Sequence, residues 1–88
     1  MMKVFFVEKK ETLEEDEELK RKGFEYVSAK SLGEDREGYF FFIKAEEEFF
    51  EKCEALRKAL EITGKEKERI LKKFEELNED VLSGMGLI

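Results

Sequence analysis

The apolar positions of this chain change period several times, and each change marks an element. Lys3–Glu8 (KVFFVE) is a short β-branched and aromatic run and reads as a strand. Its consecutive apolar residues Val4 to Val7 leave neither face polar, the pattern of a strand covered on both sides. Thr12 opens a helix. Thr12 and Glu15 have the spacing of a capping box, and Gly23 follows Lys20, Arg21 and Lys22 as a helix end whose cations complement the dipole. Leu13 and Leu19 lie about 240° apart round the axis of such a helix, so they form no single stripe. A weakly docked helix, mostly in water, is predicted.

Phe24–Ala29 is a second strand, with Phe24 and Tyr26 on one face and Val27 and Ala29 on the other. Ser31–Gly38 (SLGEDREG) is a polar loop, and Tyr39–Lys44 (YFFFIK) is a third strand, again apolar on both faces. The second and third strands are expected to form an antiparallel hairpin.

From Ala45 the period becomes helical. Phe49, Cys53, Leu56 and Leu60 mark one face, as do Ile70, Phe74, Leu77 and Val81. The two stripes would stay nearly in phase along one unbroken helix. Against this, Thr63 and Glu66 repeat the capping-box spacing, and Gly64 costs a helix interior about 1 kcal/mol relative to Ala. The preferred reading is a break there and a C-terminal helical hairpin. The chain is thus read as a single α+β domain over residues 1–88, with a small three-stranded sheet in β-α-β-β-α-α order. Its first five elements resemble, in order alone, the ferredoxin-like β-α-β-β-α-β unit, with a helix in place of the fourth strand.

Composition narrows the chemistry. There are 20 Glu and 13 Lys, no Gln, His, Pro or Trp, and one Asn, a Glu/Lys enrichment that points to a heat-adapted source. The net charge of −6 disfavours general binding to nucleic acid. The opening residues meet Glu8 too early for a secretory leader, and the apolar run Tyr39–Ile43 is far short of the roughly 20 residues that span a bilayer. A cytoplasmic protein is expected. Without His, a Ser-His-Asp or Cys-His arrangement and a Cys/His zinc site are both excluded within the chain, and no phosphate-binding glycine motif is present. The expectation is no enzyme and no cofactor.

The remaining candidates each have a plainer reading. Cys53 stands on an apolar stripe and is read as a buried small hydrophobe rather than a redox thiol. Glu14–Glu18 is read as a solvated acidic helix start, supported by the i, i+4 pairs Asp16–Lys20, Glu17–Arg21 and Glu18–Lys22. The loop Glu34–Glu37 is read as solvated surface rather than a metal or ligand site. Lys65, Lys67, Arg69, Lys72 and Lys73 form a basic helix face, interrupted by Glu66 and Glu68. The run Tyr39 to Phe42 has no interleaved basic residue and is read as core rather than a base-stacking platform.

A three-stranded sheet with both faces apolar raises a covering problem. Either the two C-terminal helices split across its faces, or a second copy covers the rest; the plainer reading is a compact monomer in which Leu87 and Ile88 fold back over the gap. The expectation is a homodimer formed through the sheet or the last helix, with Phe5, Phe41, Ile70, Phe74, Leu77 and Val81 as interface candidates. The function expected is a non-catalytic protein-interaction module that self-associates. The alternative is a nucleic-acid-associated accessory protein using the Lys65–Lys73 face. A small-ligand sensor built on the sheet is a third, suggested by element order alone.

Overall fold

The computed structural model describes the backbone of residues 1–86 and the side chains of residues 1–77. Three strands form where the aromatic and β-branched runs place them: β1 (Met2–Val7), β2 (Glu25–Ser28) and β3 (Tyr39–Lys44). A fourth, β4 (Leu60–Ile62), pairs antiparallel with β1 through Val4–Ile62 and Phe6–Leu60. The sheet order is β2-β3-β1-β4, all antiparallel, with β3 between β1 and β2. The architecture is α+β.

The expected three-stranded sheet and helical hairpin are therefore corrected. Residues assigned to the first hairpin helix divide into α3 (Glu47–Lys52), a 3₁₀ segment (Glu54–Lys58) and β4. The apolar stripe that suggested one helix is not a stripe: Cys53 and Leu56 are buried, Phe50 takes the core place given to Phe49, and Leu60 is 59% exposed. Cys53 sits in extended backbone that ends α3. A free edge on β1, apolar on both faces, gains a partner when Leu60–Ile62 runs extended, and the β-branched Ile62 suits that conformation. The break itself lies at Thr63–Gly64. The Thr63 carbonyl accepts from the Lys67 N–H, and α4 runs Gly64–Gly86.

The predicted Thr12 helix is also corrected. It is two short helices, α1 (Glu11–Glu14) and α2 (Glu17–Lys22), separated at Glu15–Asp16. Thr12 lies inside α1; the side-chain cap is Asp16, whose carboxylate accepts the Leu19 N–H at 3.0 Å. Extended backbone at Asp16 (ψ 128°) turns the axis, so Leu13 and Leu19, incompatible on one straight helix, are both fully buried. The segment is docked, not floating. Gly23 closes α2 at φ 92°, its N–H bonded to the Leu19 carbonyl.

The sheet is covered on both faces by its own chain. One face packs Phe5, Val7, Phe41 and Ile43 against Leu13, Leu19, Phe50, Cys53 and Leu56 of α1, α2, α3 and the 3₁₀ segment. The other packs Val4, Phe40, Phe42 and Ile62 against Ile70 and Phe74 of α4, with Ala29 and Leu32. Phe42 and Phe74 stack with centroids 4.0 Å apart. The expected split of two C-terminal helices holds only for α4: the other face is covered by α1 and α2 together with α3 and the 3₁₀ segment, and Leu87 and Ile88 lie outside the described residues.

Candidate functional site

The interface candidates fall mainly inside the molecule. Phe5, Phe41, Ile70 and Phe74 are buried in the two cores, and Leu77 packs partly buried against the α4 core. The Val81 side chain lies outside the described residues. In this conformation the four buried residues meet only their own chain.

The basic face on α4 is partly neutralised. Glu34 reaches from the loop before β3 to Arg69 at 2.9 Å and also bonds Lys73, and Arg69 stands 3.8 Å from Glu66. The hydrogen bond from Lys73, assisted by Arg69 and Arg36, holds the Glu34 carboxyl below its ordinary value despite its burial. Lys65, Lys67 and Lys72 make no ion pair among the described residues. The loop read as solvated surface is thus a clamp on α4. Its partners lie more than thirty positions away in sequence, where no local pattern could reveal them.

Cys53 is buried, with its Sγ–H directed to Asp16 Oδ2 at 3.8 Å. Burial pushes the thiol pKa up, and the nearby Asp16 charge adds to this. Reactive cysteines sit in the opposite setting, exposed and electropositive.

What remains open is the sheet's edges. The Ala29 N–H donates to the Gly38 carbonyl at 2.9 Å, which makes that pair a hydrogen-bonded one. By antiparallel alternation Val27 and Glu25 also face β3, leaving the peptide N–H and C=O of Tyr26 and Ser28 directed outward. β2 is the end strand of the sheet, with no further strand beyond it among the described residues; a 3₁₀ turn, Lys30–Leu32, folds back at its Ser28 end, and Lys10 Nζ stands 6.0 Å over the Tyr26 ring. Tyr26 is 37% exposed and stacks on Phe41 at 5.0 Å, so its ring stands fixed beside the edge. The Ser28 hydroxyl is held by Ser31 at 2.7 Å. Within Phe24–Ala29 only Glu25 is charged, in a chain that is 45% charged. On the opposite edge, β4 turns Leu60 and Ile62 toward β1 and leaves Glu61 alone facing outward. Strand order, not residue type, makes this an edge, so no local pattern marks it.

Comparison with protein-family models, curated proteins and solved structures finds no match for this chain. Among the described residues no group of three or more His, Cys, Asp or Glu side chains is arranged to hold a metal ion, and no helix is long and apolar enough to cross a membrane.

Proposed function

We propose that this chain is a non-catalytic interaction module that self-associates by pairing β2 of one copy with β2 of another about a two-fold axis. The observation that carries the reading is the outer edge of β2, the end strand of the sheet, with two residues directing peptide groups outward in unbroken register and no Pro, Lys or bulge within the strand itself; one cation, Lys10, approaches from the start of α1 with its Nζ 6.0 Å over the Tyr26 ring. A register centred on Tyr26 sets each Tyr26 ring beside its copy and places Glu25 opposite Val27, so no like charges meet. The low charge of this segment matters because each chain carries −6 and two chains repel at long range. A strand from another protein would use the same outward groups.

The heat-adapted source stands beside this reading. Composition carries it, and the Glu34–Arg69–Lys73 network is the kind of ion-pair cluster that gains weight at high temperature. The nucleic-acid alternative is left with Lys65, Lys67 and Lys72, since Glu34 occupies the other two cations.

Light scattering on a size-exclusion column tests the proposal. The wild-type chain should elute at twice its 10.5 kDa mass at micromolar concentration. Tyr26→Lys, which puts a charge beside the edge, should elute as a monomer with an unchanged circular dichroism spectrum. A monomeric wild type at several hundred micromolar would refute self-association.

A further inference from the structure

β1 pairs with β3 over its whole length but with β4 only from Val4 to Phe6. Where β4 has not yet begun, the chain departs as the 3₁₀ segment, and a groove of about 450 Å³ opens beside the end of β1. That is within the size range of small-ligand sites, roughly 300–1,000 Å³. The groove has an apolar side. Leu60 is 59% exposed there, and the half-buried Phe6 ring lies next to it in register. Gly38 fixes that ring: a Cβ at Gly38 would fall within 2.3 Å of Phe6 Cζ, and its φ of 133° excludes other residues without strain.

The rest of the lining is cationic. Arg36 lays its guanidinium 3.9 Å over the Phe6 ring and holds Glu66 at 3.4 Å, leaving further N–H groups unspent. Lys9 and Lys58 flank the groove and form no ion pair among the described residues. Thr12 adds a hydroxyl, and Glu8 is the one carboxylate in the lining. On a chain of net charge −6, two unpaired ammonium groups and an arginine gathered round an exposed apolar wall select for one kind of molecule.

We propose that this groove binds a small organic anion: a phosphate or carboxylate head placed between Lys9, Lys58 and Arg36, on an apolar body lying against Leu60 and Phe6. The groove lies at the β1–β4 corner and β2 is the far edge of the sheet, so edge pairing leaves it open. The site stands or falls independently of self-association.

An NMR titration of the ¹⁵N-labelled chain tests it with three probes of one shape: 1-naphthyl phosphate, 1-naphthoate and neutral 1-naphthalenemethanol. Saturable shifts are expected for the anions at Phe6–Lys9, Thr12 and Lys58–Leu60, with the neutral probe weaker by about tenfold. Whichever anion binds more tightly names the head group. The double substitution Lys9→Ala, Lys58→Ala touches exposed side chains and should weaken anion binding about tenfold while the spectrum stays folded. Leu60→Ser should weaken all three probes. The proposal is overturned by a neutral probe that binds as well as the anions, by shifts centred elsewhere, by no saturable shift, or by a double variant that binds unchanged.

Discussion

The two faces of the sheet are covered in different ways. On one, a single long helix, α4, lays Ile70 and Phe74 across Phe42, joined by Leu32 of the 3₁₀ turn Lys30–Leu32, and is clamped from the side by Glu34. On the other, four short pieces share the cover: α1, α2, α3 and a 3₁₀ segment, none longer than six residues. The first face owes its order to periodicity, the second to breaks. Asp16 and Cys53 stand at two of those breaks, and Cys53 Sγ points at the Asp16 carboxylate that caps α2. A long helix can be read from its own stripe. A mosaic of short helices is held by what it packs on, so its sequence carries only fragments of a pattern.

The sharpest way to break this comparison is to remove one large side chain from each face. Phe74→Ala should cost about 3–5 kcal/mol and Leu19→Ala about 2–5 kcal/mol in urea unfolding. Both are large against the roughly 5–15 kcal/mol that holds a typical domain together. Had α2 floated in water, Leu19→Ala would cost well under 1 kcal/mol, so this variant separates a docked mosaic from a loose one.

A smaller effect probes the clamp. Glu34 is 11% exposed and its carboxyl is held below the ordinary value by the Lys73 hydrogen bond, with Arg69 and Arg36 nearby. Its contribution is therefore full above the unfolded value of about 4.3 and is lost as pH falls through the lower, folded one. Glu34→Gln should cost about 1 kcal/mol at neutral pH and flatten the acid limb of stability below about pH 5. An unchanged acid limb would remove the clamp from the account of α4.

The smallest effect lies in the other face. Burial raises the Cys53 pKa, so the native state keeps the thiol protonated while the unfolded chain ionises from about pH 8.5. Stability should fall slightly above that pH, and Cys53→Ala should lose this alkaline slope. Ellman's reagent should react with Cys53 only at the rate of unfolding. Rapid labelling of the folded protein would show that the α1–α3 mosaic opens by itself.

These contrasts also locate what the sequence conveys. Strands β1, β2 and β3, the hairpin, the Gly23 stop and the start of α4 near Gly64 all rest on local chemistry, and all stand within a residue or two of expectation. β4 escapes the periodic reading because Leu60 completes a helical spacing from Phe49, Cys53 and Leu56, although Leu-Glu-Ile alternates as a strand does. Its partner, the free side of β1, lies more than fifty positions earlier. Leu13 and Leu19 are incompatible only on one straight helix; Asp16, a good N-cap residue, is the local signal for the break between them. The six interface candidates share apolar character, and the same property buries four of them in the chain's own cores. The open edge at Tyr26 and Ser28 and the groove at Leu60 depend on strand order and on where β4 starts, which no local window contains.

Self-association through the β2 edge is tested most directly by amide hydrogen exchange, residue by residue, at two protein concentrations. Glu25 and Val27 bond to β3 and should be protected at both. Tyr26 and Ser28 should exchange slowly at high concentration and quickly on dilution, because their partners belong to a second copy. Exchange at Tyr26 and Ser28 that is fast at every concentration would contradict the account.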